Sequence, residues 1–218
     1  MNHSPIGGSV QHRVLNCHGS VHLSRCATKS TGAAAERGNV MHAHAAAIIK
    51  DGPIPGTPLR KGEREIVDCY VAGVPRNMQP HIEERIENPS HPWLFGTVDA
   101  YWIDEAGILN IADLKTGKTP VSVVNNPQLM FYTYLMRMDL YTPVRHWICQ
   151  PLAGGWTSHM VTEEEYVGYT MDLQGLLNSL EMENDIPLRA GEWCGYCPAK
   201  KDLCPLYRQP AAVVDDSF

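Results

Sequence analysis

The stretch from Phe95 to Tyr134 restricts what this chain can fold into more than any other part of it. Two apolar-rich runs, Phe95–Ile103 and Ile108–Leu114, flank the turn-forming Asp104-Glu105-Ala106-Gly107. Gly107 supplies the positive φ that a tight reversal needs, so the pair is read as a β-hairpin. Its second strand ends in Asp113-Leu114-Lys115. Strand alternation puts Asp113 and Lys115 on one face and Leu114 on the other. The first strand carries Asp99. Beyond a Gly-Lys-Thr-Pro turn, a helical run from Pro127 to Leu140 sets Gln128 and Tyr132 four apart on one face.

Carboxylates converging at short range repel unless a cation sits between them. Hard oxygen ligands with open positions suit magnesium or manganese. A lysine beside such an ion can hold a water and steady negative charge developing on a phosphate. Asp-x-Lys alone reads equally as a surface ion pair. It points to chemistry when a carboxylate on the preceding strand and a Gln-x-x-x-Tyr helix accompany it.

Gly96-Thr97-Val98-Asp99, Asp113-Leu114-Lys115-Thr116-Gly117 and Gln128-Leu129-Met130-Phe131-Tyr132 resemble the motifs of the PD-(D/E)xK nuclease superfamily, in its RecB-like exonuclease branch. Within that branch the chain is similar to iron–sulfur nucleases of the CRISPR-adaptation kind and to a related group encoded by phages. The resemblance spans about Cys17 to Cys204. The third motif has Asp where many members of the superfamily have Glu, and Asp also occurs there in the RecB-like branch. The resemblance implies a restriction-endonuclease-like core and catalytic roles for Asp99, Asp113, Lys115, Gln128 and Tyr132. It also implies Mg²⁺ or Mn²⁺ held by Asp99, Asp113, the carbonyl after Asp113 and a histidine on an earlier helix. Gly38 to His42 matches the spacing of that first motif, which makes His42 the candidate ligand. His44, two positions on, lies on another face and reads as a buried ring satisfied by a backbone carbonyl. The strand His81–Glu87 precedes the hairpin. One of its glutamates, with Glu84 the choice, is expected to help the metal site directly or through a water, while Glu83, Glu84 and Glu87 read equally as a solvated strand face.

Seven cysteines in a chain with no secretion-signal pattern argue for metal binding over a disulfide framework. Cys194, Cys197 and Cys204 are clustered near the C-terminus, and the two residues between the first pair let both thiolates reach one centre. Three thiolates leave a tetrahedral set incomplete. Cys17 is the expected fourth ligand, with Cys26 a weaker choice. In the iron–sulfur RecB-like nucleases one upstream cysteine joins three C-terminal ones around a [4Fe–4S] cluster, and the order here matches. Structural Zn²⁺ on the same four thiolates is the alternative, followed by unliganded cysteines. A cluster there would staple the two ends of the nuclease core together. Cys69 reads as a core residue.

The remaining pattern is a helix from Ala33 to about Ile49, capped by Ser30 or Thr31, and an amphipathic helix from Lys61 to Val74 with Ile66, Val67, Tyr70 and Val74 inward. Two late strands, Val144–Pro151 and Trp156–Val161, turn at Gly154-Gly155. A last helix is capped by Thr162 with Glu165 in the capping-box position and runs to about Glu183. The order predicts an α/β fold with a central mixed β-sheet flanked by helices. Residues 1–208 are expected to form one domain, with Met1–Gln11 frayed and 209–218 a flexible tail.

The 218 residues carry a formal charge of −6, which disfavours a simple nucleic-acid sheath and leaves room for a local basic channel. No apolar run is long enough to span a bilayer, and a cytoplasmic location is expected. The expected substrate, by resemblance, is DNA, single-stranded or with duplex ends, in recombination, repair or phage DNA metabolism, with a helicase or recombination protein as partner. Trp93, Tyr101 and Trp102 are candidates for base stacking, with core packing the simpler reading. The competing class is a non-catalytic or zinc-stabilised binding module of a recombination complex.

Overall fold

The computed structural model describes residues 4–27, 32–137, 142–181, 186–200 and 203–208. The chain opens with a 3-10 turn, Gly8–Val10, and two short helices, α1 (Gln11–Asn16) and α2 (Ser20–Arg25). Helices α3 (Ala33–Ile49) and α4 (Glu63–Gly73) follow. Then come β1 (His81–Asn88), β2 (His91–Ile103) and β3 (Leu109–Leu114), helix α5 (Pro127–Met136), and strands β4 (Val144–Gln150) and β5 (Gly155–Met160). Helix α6 (Glu163–Glu181) and the short α7 (Pro205–Arg208) complete the order. The five strands form one sheet in sequence order, with β3 and β4 parallel and every other pair antiparallel. The expected mixed sheet flanked by helices is what forms.

Local chemistry sets these boundaries. Gly107 sits at φ +75° in the β2–β3 turn, and Asp104 Oδ1 accepts from the N–H groups of Ala106 and Ile108. Asn126 caps α5 by accepting from the N–H of Gln128 and Leu129, with Pro127 in the first turn, where its missing N–H costs nothing. The capping box at α6 is reciprocal: Glu165 N donates to Thr162 Oγ1 at 3.2 Å, and Thr162 N donates to Glu165 Oε2 at 2.8 Å. The caps proposed at Ser30 and Thr31, the end of the α5 run at Leu140, the α6 end at Glu183 and the tail 209–218 lie outside the described residues.

Each sheet face has its own core. One joins Ile111, Ile148 and Val144 to Leu129 and Phe131 of α5 and to Leu173 and Leu176 of α6. The other joins Ala100, Ala112 and Leu114 to Met41 and Ala45 of α3 and to Val67 and Tyr70 of α4. β3 is buried along its whole length, because helices cover both sides of it.

The expectation that Met1–Gln11 is frayed is corrected for residues 4–11. Ile6 and Gln11 are fully buried, Gln11 Nε2 donates to Ile6 O, and Tyr169 Oη donates to Gln11 Oε1 at 2.8 Å. One isoleucine and one glutamine hold a segment whose average polarity suggested a loose end. No helix among the described residues is long and apolar enough to cross a membrane.

Candidate functional site

Strand β3 delivers Asp113 to the middle of the protein and ends directly after it. Lys115 N still donates to Cys149 O of β4 at 2.8 Å, so the sheet holds the backbone on both sides of Leu114. Lys115 Nζ lies 2.8 Å from Asp113 Oδ2 and donates to Gln128 Oε1 at 2.6 Å. The other end of the same amide donates to Asp113 Oδ1 at 2.5 Å and reaches Tyr132 Oη at 3.3 Å. Gln128 therefore clasps the acid and the lysine together, and the four-residue spacing on α5 stacks Tyr132 behind it. The tyrosine ring is pinned between glycines: a Cβ at Gly96 would come within 2.7 Å of it, and one at Gly8 within 2.8 Å.

Asp99 enters from β2. Its Oδ2 accepts from Leu114 N at 2.8 Å and lies 3.2 Å from His42 Nδ1 on α3. Gly38, one turn before His42, lets the helix approach Thr116, whose Oγ1 would lie 3.3 Å from a Cβ there. His44 is buried, with Nε2 at 2.8 Å from Thr57 O, the backbone partner expected for it.

Glu84, the acid expected from β1, is engaged elsewhere: it accepts from Tyr101 Oη at 2.9 Å and lies 2.6 Å from His81 Nδ1. Its neighbour Glu83 takes the place, with Oε1 3.7 Å from His42 Nδ1. Ile82 pairs with Ala100 and Glu84 with Val98, so Glu83 falls opposite Asp99. Glu83 sits at φ +47°, in the left-handed region. Side-chain alternation breaks at this level: Ile82, Ala100 and Trp102 belong to one core, while Ile86, Val98 and Leu94 pack in the other. Among the described residues, His42, Glu83 and Asp99 are the one set of His, Cys, Asp and Glu side chains whose ligand atoms all lie within 4.8 Å of one another.

The electrostatics follow from crowding charge in a buried place. Burial opposes a charged ring at His42, but the charge and hydrogen bonds of Asp99 and Glu83 outweigh it and push its pKa up to about 11. Burial likewise opposes the Asp99 carboxylate, yet His42, the Leu114 N–H and Lys115 hold its pKa below the usual value. Burial raises the pKa of Asp113, aided by Asp99 and opposed by Lys115 and His42. For Lys115 burial is overcome by Asp113 and Asp99, and the ammonium is retained. An excess of carboxylate thus gathers round an imidazolium and a lysine.

Four of the seven cysteines share a cavity. Cys17, Cys194, Cys197 and Cys204 all line one cavity of about 270 Å³, shared with Arg13, Trp193 and Lys200, while the exposed Cys26 takes no part in it. The N- and C-terminal segments meet there: Gly19 N donates to Pro187 O at 3.0 Å, and Arg189 N donates to Cys17 Sγ at 3.4 Å. Arg13 is buried, and its guanidinium donates to Ser20 O, Ser20 Oγ and Ser24 Oγ and faces Cys197, with no carboxylate partner among the described residues. Burial lowers its pKa, against the pull of Cys197 and Cys17.

Of the residues proposed for stacking, Trp102 is core, Tyr101 is half-buried and stacked on His81 with centroids 4.4 Å apart, and Trp93 is exposed. Cys69 lies 4.0 Å from the buried Cys149, in the second core as expected. Sequence reasoning missed Glu83 and Arg13. Counting back from Asp99 in strand register would have found Glu83. Nothing in the sequence marks Arg13 as buried.

Among solved structures, the chain is similar to the one titled "Crystal structure of SSO0001", at 13% identity and a TM-score of 0.46 over 96% of this chain and 89% of that one, a likeness too slight to carry an argument. The family model described as "Protein of unknown function (DUF2800)" matches residues 71–216, which include the hairpin, Gln128, Tyr132 and the three C-terminal cysteines and leave out His42 and Cys17. On that match the chain belongs to the DUF2800 family, whose function is unknown.

Proposed function

We propose that this protein is a divalent-cation-dependent deoxyribonuclease of the PD-(D/E)xK, RecB-like kind, acting as an exonuclease on single-stranded or end-resected DNA. The observation that carries the reading is the convergence of His42, Glu83 and Asp99 beside a lysine that Asp113 and Gln128 hold in place. Three separate elements, α3, β1 and β2, deliver one ligand each to a common point. A structural surface has no need for that arrangement.

The donor set fits Mg²⁺ or Mn²⁺: carboxylate oxygens from Glu83 and Asp99, one imidazole, and Asp113 immediately behind. Such an ion supplies an acidified water and neutralises charge on a phosphate. His42 must give up its Nδ1 proton to serve as a ligand, and Asp99 and Glu83 are the bases beside it. Lys115 keeps its proton, so it acts as a donor that orients a water or a phosphate oxygen. Gln128 fixes the lysine at one geometry, and Tyr132 backs the amide.

We propose further that the four-cysteine cavity holds a [4Fe–4S] cluster. Its volume and the spread of the thiols support this over zinc, for which Zn–S bonds of about 2.3 Å would draw the sulfurs to roughly 3.8 Å apart. No three of the four thiols lie mutually within 4.8 Å. A buried arginine without an acid is costly. An anionic thiolate-bound cluster would give Arg13 its counter-ion.

The test is a visible spectrum of anaerobically purified protein paired with Mn²⁺-dependent digestion of end-labelled single-stranded DNA. Brown protein that shortens the DNA supports both parts. Colourless protein that cuts moves the cysteines to zinc, and brown protein that cuts nothing favours a binding module.

A further inference from the structure

Three of the seven cysteines lie outside the four-cysteine cavity, and two of those meet. Cys149 on β4 is fully enclosed, and its Sγ lies 4.0 Å from Cys69 Sγ on α4. Cys69 is only half-buried, at the edge of the second core, and Cys26 is exposed and apart. Thiols in a core ordinarily serve as small apolar groups. Here one residue of the pair is open to solvent and the other is reached only from within. Trp156 fixes the two backbones against each other. It pairs with Cys149 across β4 and β5, and its Nε1 donates to Cys69 O at 3.1 Å. Tyr70, next to Cys69, stacks on the same indole with centroids 5.5 Å apart, and a Cβ at Gly73, one turn on, would collide with it. Closing from 4.0 Å to a disulfide of about 2.05 Å asks for about an ångström from each side.

We propose that Cys69 and Cys149 form a redox-active thiol pair, in which Cys69 reacts with a low-molecular-weight disulfide such as oxidised glutathione and Cys149 resolves the adduct. The Cys69 thiolate attacks one sulfur of the reagent, forms a mixed disulfide and releases the first thiol, which carries the proton Cys69 gave up. Cys149 Sγ then attacks Cys69 Sγ, and its own proton leaves with the second thiol. The pair is oxidised by two electrons and the reagent is reduced by two. The product ties α4 to β4 across 80 residues of chain. It would brace the strand that stands beside Leu114 and whose Cys149 O holds Lys115 N at 2.8 Å. The pair does not depend on the cation-site reading.

The test treats the folded, anaerobically purified protein with oxidised glutathione, alkylates the remaining thiols and maps the Cys69 and Cys149 peptides by mass spectrometry. Wild type should yield the two peptides linked, with the loss of two hydrogens and reversal by a reducing dithiol, and no lasting glutathione on Cys69. Cys149→Ala should instead accumulate glutathione on Cys69. Wild type that keeps glutathione on Cys69 without the linked peptide overturns the proposal, because Cys149 would then not resolve it. Wild type in which both residues stay alkylatable also overturns it, as does a linked peptide that forms only in urea. DNA cleavage is not read, so its absence overturns the nuclease assignment and leaves this one standing.

Discussion

Glu83 and Asp99 stand opposite each other on β1 and β2, and both carboxylates are turned on His42 Nδ1, at 3.7 and 3.2 Å. The charged ring of His42 stands between the two acids, and a bound cation would take over that role. Replacing Glu83 with alanine should weaken Mn²⁺ binding by about tenfold or more. Glu84→Ala should leave it unchanged, since Glu84 serves His81 and Tyr101. Isothermal titration of both variants with Mn²⁺ checks the assignment, and equal losses in the two would contradict it.

The register that sets this pair also shows where the sequence stopped being legible. The hairpin, its Gly107 turn, the Asp113–Lys115 pair and the Gln128–Tyr132 face were all readable, because each depends on contacts a few residues apart. Glu83 depends on how β1 docks on β2. Their pairing shifts register between Glu87 and Asn88, so counting through that turn puts Pro80 opposite Asp99 and not Glu83. The left-handed φ of Glu83 then breaks the alternation that would have corrected the count. Arg13 and Ile6 were missed for a related reason. Both sit in polar or unpatterned sequence, and their burial comes from distant elements closing over them. The four-cysteine set was legible from spacing near the C-terminus, and its Cys17 member from the resemblance.

Gly96 makes room for an aromatic ring. Gly96→Ala would place a methyl group 2.7 Å from Tyr132 Cε1, and Gly8 blocks retreat on the other side. A loss of about 1–3 kcal/mol in unfolding free energy is expected, as for other overpacked interiors. Denaturant unfolding of the variant checks this, and a change within a few tenths of a kcal/mol would show that the ring has another position.

His146 predicts an acid sensitivity. It is fully buried, with Nε2 2.7 Å from Thr133 Oγ1 and Nδ1 unpartnered among the described residues. Burial, with a smaller push from His159 against the pull of Glu165, lowers its pKa to about 3. A histidine with a depressed folded pKa contributes its full stability above the unfolded value of about 6.5 and loses it as pH falls towards 3. Between pH 7 and 5 wild type should lose about 2 kcal/mol more than His146→Gln. Urea midpoints of the two proteins at both pH values measure the difference, and parallel slopes would contradict the burial of a neutral ring.

Arg13 should set the redox behaviour of the cysteine cavity. Reduction adds negative charge to a thiolate-bound cluster, and a buried guanidinium favours that charge. Arg13→Met should therefore lower the reduction potential relative to wild type while the four cysteines still bind. Spectroelectrochemical titration reads the shift directly. A potential that stays put or rises would place the guanidinium's partner elsewhere.

The central claim is that Lys115, clasped by Asp113 and Gln128 beside the His42–Glu83–Asp99 set, belongs to a cation-dependent nuclease site. The most direct measurement is Mn²⁺-dependent shortening of end-labelled single-stranded DNA by wild type, Lys115→Ala and Asp99→Ala, each shown to be folded by its circular dichroism. Shortening by wild type that requires Mn²⁺ and disappears in both variants is the predicted result. Equal shortening by all three, or none by a wild type that binds Mn²⁺, would contradict it.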